Sequence, residues 1–234
     1  MRTVNVDPPA EIGEHEGLAY ALFLPDGEAV GGVVILHGAG SRKESHYDYA
    51  RRLRMHGLAA VAFDQRGHGD SPAPMDARMA ADVATVAELL PAGVPRALRG
   101  SSMGGYLAIV AARQANAAAV VAICPASASG LRFGVGSGRV EFAADVPSLD
   151  AFLAEHDELV AAVDLQCPLL LLHAEGDEIV PIAHSVALAA AREEAGRPTR
   201  FIRVPGGDHR SIQHDAEFQD LSVRFVLKAL RAGA

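Results

Sequence analysis

Cysteine is scarce, basic charge is outweighed by acidic, and no apolar run is long. Each shortage closes off a class of function. Two cysteines in 234 residues are too few for a disulfide framework, so a reducing cytoplasm is the expected compartment. Cys124 and Cys167 read as small buried hydrophobes. The formal net charge of −8 argues against nucleic acid or an anionic membrane as partner. The longest apolar run, "AAAVVAIC" at 117–124, is far too short to cross a bilayer. The first residues, "MRTVNVDPPAEIGEHEG", lack the apolar core of a signal peptide. HExxH, CxxC and a complete dinucleotide fingerprint are all missing, so no metal and no organic cofactor is expected.

What is present is an alternation. Half of the residues are hydrophobic, enough for one good-sized domain over 1–234 with a large core. Short β-branched runs at 19–25, 32–38, 58–64, 96–101, 118–124, 168–174 and 200–205 read as strands. Alanine-rich stretches around 46–56, 76–90, 103–115, 182–195 and 216–231 read as helices. Continuous apolar strands between helices predict a mostly parallel sheet covered on both faces. Ligands of such sheets bind beyond the carboxyl ends of the strands.

Residues 126–166 break this rhythm. They open on the glycine-rich "GLRFGVGSG" (130–138), which predicts a mobile start with no helix there. A single helix is expected around 148–162. The segment reads as a small cap or lid, without which the sheet should still close. Phe133, Phe142, Phe152 and Leu153 are its weak candidates for lining a substrate site, with cap-to-body packing the competing reading.

The chemistry centres on "GSSMG" (100–104), a Gly-x-Ser-x-Gly between a predicted strand and a predicted helix. That context suits a nucleophile elbow with Ser102 at its tip. A turn so sharp requires small residues at 100, 104 and 105. It also sets the Met103 N–H at a helix N-terminus, facing any negative charge that develops nearby. A serine hydroxyl needs a base, and histidine titrates near neutrality. Of ten histidines, His209 in "VPGGDHRS" has the best place, on a glycine-containing loop between a strand and the last helix. His173 and His184 are rivals, one completing a strand and the other inside a helix. His15, His46, His56, His156 and His214 read as surface residues. Asp177, in "LLLLHAEGDEIVP", sits on the turn after a buried strand and can orient the imidazole. Glu175 and Glu178 are runners-up, and Asp208 is too close to His209 to face it.

These segments together resemble the α/β-hydrolase superfamily, over nearly the whole chain. The order Ser, Asp, His is that family's order. "VVILHGAGS" (33–41) resembles its His-Gly oxyanion loop, and "FDQRGHGDS" (63–71) the loop after its next strand. The resemblance implies an oxyanion hole from the N–H groups of Met103 and Ala39. It also implies bracing roles for His37 and His68 and structural roles for Asp64 and Arg66. Arg99 departs from the pattern, since the family usually has an apolar residue there, and a buried arginine needs a partner.

The implied activity is hydrolysis of small or short-chain carboxylic esters through an acyl-enzyme, by a monomer or homodimer. Peptidase or thioesterase chemistry is the alternative, because "GSSMGG" also resembles elbows of acyl-peptide hydrolases, thioesterases and monoacylglycerol lipases. Dienelactone-hydrolase-like activity is less favoured, since that group typically has cysteine at the position of Ser102. A ligand-binding protein on the same fold is the alternative of another class.

Overall fold

The structure, a computed structural model, describes residues 7–232; the first six residues of the polar N-terminal stretch lie outside them. Eight strands form one sheet: β1 (Glu11–His15), β2 (Leu18–Phe23), β3 (Gly32–Leu36), β4 (Ala59–Phe63), β5 (Arg96–Ser101), β6 (Ala117–Ile123), β7 (Leu169–Ala174) and β8 (Thr199–Val204). Their order across the sheet is β1-β2-β4-β3-β5-β6-β7-β8. Strands β3 to β8 run parallel, and β1 and β2 are antiparallel additions at one edge.

The periodicity locates every strand except β1. That edge strand is polar and mostly exposed, so no alternation marks it. Its hairpin to β2 turns on Glu16 and Gly17, both at positive φ (53° and 78°), as a two-residue hairpin loop of type I′ requires.

The described residues also form eight α-helices: α1 (Tyr47–Met55), α2 (Met79–Ala87), α3 (Met103–Val110), α4 (Ala128–Gly136), α5 (Val146–Glu155), α6 (Glu158–Asp164), α7 (Ile182–Glu194) and α8 (Ala216–Ala232). One face of the sheet packs on α1 and α8, through Tyr49, Leu53, Val223, Val226 and Leu230. The other face packs on α2, α3 and α7, through Val83, Val86, Tyr106, Leu107 and Leu188. Among the described residues no helix is long and apolar enough to cross a membrane.

Segment 126–166 differs from its sequence reading in three ways. The glycine-rich stretch is helical: α4 starts at Ala128, because the Ser127 side chain accepts the Gly130 N–H and caps it. The single helix expected around 148–162 is two helices, α5 and α6. The break falls where Asp157 accepts the N–H groups of Leu159 and Val160 and starts a new helix. The segment also contributes to the core. Leu131, Val135, Leu149, Phe152, Leu153 and Ala162 are buried in the main cluster, and the Tyr106 hydroxyl donates to the His156 carbonyl. Removing it would open the apolar face of α3 to water.

Strand β3 has β4 on one side and β5 on the other. The connections leaving β3 and β5 therefore diverge at their carboxyl ends, and open a crevice there. Ala39 follows β3 and Ser102 follows β5, so both stand at this crevice.

Candidate active site

Ser102 links β5 to α3 with φ 53° and ψ −120°, a conformation costly for any residue with a Cβ. The surrounding backbone holds it there. Its N–H donates to the Ile123 carbonyl (2.9 Å), and its carbonyl accepts from Ala126 (3.0 Å). The small neighbours are obligatory. A Cβ on Gly100 would lie 1.9 Å from the Gly104 oxygen, and one on Gly104 would lie 2.3 Å from the Leu36 oxygen. Gly105 is nearly as tight against Pro125, at 3.0 Å.

Asp177 and His209, the acid and base expected from the sequence, follow β7 and β8, with β6 between them and β5. Asp177 Oδ2 accepts from His209 Nδ1 at 2.7 Å, so the proton sits on Nδ1 and Nε2 is free to act as a base. Asp177 Oδ1 accepts the N–H groups of Ile179 and Val180, at 2.9 and 2.8 Å. Burial raises the Asp177 pKa, but the bonds from His209, Val180 and Ile179 outweigh it and hold the carboxyl below its ordinary value. The two loops touch backbone to backbone: a Cβ on Gly176 would lie 2.5 Å from the Gly207 oxygen. This contact calls for glycine at 176, beside Asp177, and the positive φ of 72° calls for it at 207.

The competing acids are committed elsewhere. Asp208 accepts the N–H groups of Arg210 and Ser211 within its own turn. Glu175 pairs with Arg203, and Glu178 is exposed. Of the competing bases, His173 is committed and His184 has no hydrogen bond at Nε2. His173 is fully buried; its Nδ1 accepts from the Ser185 hydroxyl (2.7 Å) and its Nε2 donates to the Val180 carbonyl (2.9 Å). His184 faces Glu158 at 3.4 Å.

On the other side of Ser102 lies the loop after β3. A Cβ on Gly38 would be 3.2 Å from Ser102 Cβ and 3.9 Å from its Oγ. Neither Met103 N–H nor Ala39 N–H has an acceptor among the described residues. His37 holds the loop from beneath, donating from Nδ1 to the Gly38 carbonyl (2.8 Å) and accepting the Gln65 N–H at Nε2 (3.0 Å). Burial drives its pKa down to about 4, so the ring stays neutral and can keep both roles. Gln65 also donates its side-chain amide to the His37 carbonyl (2.6 Å). Sequence reading overlooked Gln65, although its place beside Asp64 and Arg66 was a signal. His68 packs edge-on to His37, with ring centroids 4.8 Å apart.

Asp64 and Arg66 are structural. Asp64 accepts from Lys43 Nζ (2.8 Å) and from the N–H groups of Lys43 and Asp70 (2.7 and 2.9 Å). Arg66 makes a two-pronged bond to Asp82, at 2.7 and 2.9 Å.

The four cap candidates separate. Phe152 and Leu153 are buried in the core, Phe152 stacked on His156, so neither can meet a substrate. Their apolar spacing was cap-to-body packing. Phe133 is 62% exposed, with Arg139 over its ring. Phe142 stacks on His68 at 4.5 Å, one ring behind His37. The neighbouring Glu141 faces Gly40, so residues 141 and 142 flank the loop after β3.

One group resembles a metal site. Cys124 Sγ, a His173 nitrogen and an Asp177 oxygen lie within 4.8 Å of one another. Their donor sets do not fit an ion. His173 and Asp177 are fully used by the bonds above, and burial, with Asp177 beside it, keeps the Cys124 thiol protonated.

The sequence matches two families, each over more than half of its length. Residues 27–151 match the family described as serine aminopeptidase, S33, and residues 95–232 match the prolyl oligopeptidase family. The chain belongs to the α/β-hydrolase superfamily. Among sequence relatives of this α/β-hydrolase, an uncharacterised protein of Mycobacterium tuberculosis is 28% identical over 207 residues, covering 85% of this chain and 68% of the relative. The uncharacterised protein YfhR of Escherichia coli O157:H7 is 24% identical, covering 88% and 73%.

Solved structures share the α/β-hydrolase fold at low identity. A thermostable carboxyl esterase from Bacillus coagulans aligns with a TM-score of 0.78 at 14% identity, covering 94% of this chain and 98% of that one. A monoacylglycerol lipase from Paleococcus ferrophilus gives 0.71 at 22%, covering 93% and 99%.

Proposed function

We propose that this α/β-hydrolase cleaves carboxylic esters of small or short-chain acids through a serine acyl-enzyme. The observation that carries the reading is the strained Ser102 (φ 53°) after β5, at the same end of the parallel sheet as the bonded pair Asp177 and His209 after β7 and β8. Strain at a solvent-facing serine has no role in stability, and it suits a nucleophile presented to substrate.

His209 Nε2 takes the Ser102 hydroxyl proton as Oγ attacks the ester carbonyl carbon. The oxyanion forms beside the free N–H groups of Met103 and Ala39. As the intermediate collapses, the carbon–oxygen bond to the alcohol breaks, and the leaving oxygen takes the proton from His209. Water then gives a proton to the same nitrogen as it attacks the acyl carbon; on collapse the carbon–Oγ bond breaks, His209 returns that proton to Ser102 Oγ, and the acid is released. Asp177 keeps the proton of His209 on Nδ1 and stabilises the imidazolium formed at each attack.

Neither Ser102 Oγ nor His209 Nε2 has a hydrogen-bond partner among the described residues. Such contacts are commonly loose before substrate binds. The two unpaired cysteines suit a reducing compartment, and the cytoplasm is the proposed location.

The test is labelling with a fluorophosphonate, followed by a panel of p-nitrophenyl esters of rising acyl length. The proposal expects a single adduct on Ser102 and greatest turnover on the shorter esters. Matched amide and thioester substrates separate the peptidase and thioesterase readings. A protein that neither labels nor turns over any of them is the ligand-binding alternative.

A further inference from the structure

Arg99 lies in the central strand β5, three residues before Ser102, with its side chain 0% exposed. A buried guanidinium ordinarily has a carboxylate beside it. Here none bonds to it among the described residues. Its Nη2 donates to the Gln213 carbonyl at 2.8 Å, its Nη1 to His46 Nδ1 at 3.2 Å, and its carbon lies 4.3 Å from the Tyr49 ring centre. The nearby Asp48 already accepts from His214 (3.0 Å) and Gln219 (2.7 Å).

His46 therefore belongs inside the protein, against the expectation of a surface residue. It is 1% exposed, and it supplies a neutral acceptor that the arginine required.

Gln213 is four residues beyond His209. The stretch between them is a compact unit: Asp208 Oδ1 accepts two N–H groups, and Ser211 Oγ accepts the Asp208 N–H at 2.8 Å. Ile212 anchors it apolarly in the core. Beyond His209 itself its polar anchors are the exposed His214–Asp48 bond (3.0 Å) and the Gln213 carbonyl, which also accepts from Gln219 Nε2 at 3.1 Å. Gln219 is held in turn by Arg52. A charged donor to that carbonyl is worth more than a neutral one. An apolar residue at position 99 would fill the space and avoid the desolvation cost of a buried cation, but could not hold the carbonyl.

We propose that Arg99, assisted by Gln219, is a positioning residue for His209. By clamping the Gln213 carbonyl it fixes the 208–214 turn against the sheet, and so sets where the imidazole stands between Asp177 and Ser102. The role rests on His209 being the base.

The experiment compares wild type with Arg99→Met by steady-state kinetics on p-nitrophenyl acetate and by hydrogen exchange followed by mass spectrometry. Arg99→Met relieves the desolvation cost of a buried cation but leaves His46 Nδ1 buried without a partner, so the melting temperature should fall modestly in a protein that still folds. The clamp predicts a fall in kcat of about 10- to 100-fold, since small misplacements of reacting groups cost that much. KM should stay nearly constant, and exchange should quicken in peptides covering 206–215 while β5 and β6 keep their protection. Should Arg99→Met not fold, Gln219→Leu decides by the same two readouts, with a smaller change in the same direction. Wild-type kcat together with unchanged exchange over 206–215 overturns the proposal. Failure of the wild-type protein to label with fluorophosphonate overturns the catalytic reading instead, while the exchange comparison still tests the clamp.

Discussion

Asp177 Oδ2 and His209 Nδ1 stand 2.7 Å apart across 32 residues of sequence. The carboxylate is fully buried at its side chain and the imidazole nearly so. This bond fixes the tautomer on which the proposed base depends. Asp177→Asn should lower kcat by about ten-thousand-fold with the fold preserved, because an amide at that place favours the wrong tautomer. Combined with Ser102→Ala it should cost little more than the serine change alone. Kinetics on one chromogenic ester check both; full activity in Asp177→Asn would exclude it as the orienting acid.

The elbow glycines give a prediction about stability. A Cβ at Gly100 has only 1.9 Å to the Gly104 oxygen, and backbone cannot move aside as a flexible side chain can. Gly100→Ala should destabilise by about 1–3 kcal/mol or more. Gly136→Ala, where nothing lies within 4 Å of the added carbon, should be tolerated or slightly stabilising. Denaturant midpoints of the two variants would expose an error if they shifted equally.

Buried neutral histidines set the acid limb of stability. Burial lowers His37 to about 4 and moves His46 and His68 down as well. Between pH 6.5 and 4 the unfolded chain binds protons that the folded chain refuses, so stability is complete above pH 6.5 and drains away below it. Each such group costs at most about 1.4 kcal/mol per pH unit in that window. Asp177, whose folded value is lowered, adds a second loss only below the ordinary aspartate range. Urea midpoints should hold steady from pH 8 to 7 and fall from pH 6.5 to 5. A flat profile over that lower interval would mean these rings are not held neutral.

The two cysteines are free and sit at opposite ends of neighbouring strands, Cys124 after β6 and Cys167 before β7. Burial raises both thiols, Cys167 to about 11. Ellman's reagent should react slowly with the native protein and count two thiols in denaturant without reductant. A count of zero would require a disulfide incompatible with this strand order.

The sequence made much of this legible because the chemistry leaves local marks. A strand, a serine between glycines and a helix are contiguous, and the loops bearing Asp177 and His209 each follow a buried apolar run. Parallel strands buried on both faces read as unbroken apolar stretches, so their places were plain. The polar edge strand β1 has no such run and was invisible. The partners of Arg99 were also hidden, because His46 and Gln213 lie 53 and 114 residues from it and meet it only when α1 and the last loop pack on one face. Phe152 and Leu153 show the reverse error: apolar residues in an insertion advertise burial, and their pattern does not say whether core or substrate covers them.

The central claim is that Ser102 is a nucleophile. Its most direct measurement is the turnover of a p-nitrophenyl ester by purified Ser102→Ala beside wild type, with folding checked by circular dichroism. The account predicts a loss of about a million-fold in kcat and no fluorophosphonate adduct, in a variant as folded as its parent. Substantial residual turnover by folded Ser102→Ala would contradict it.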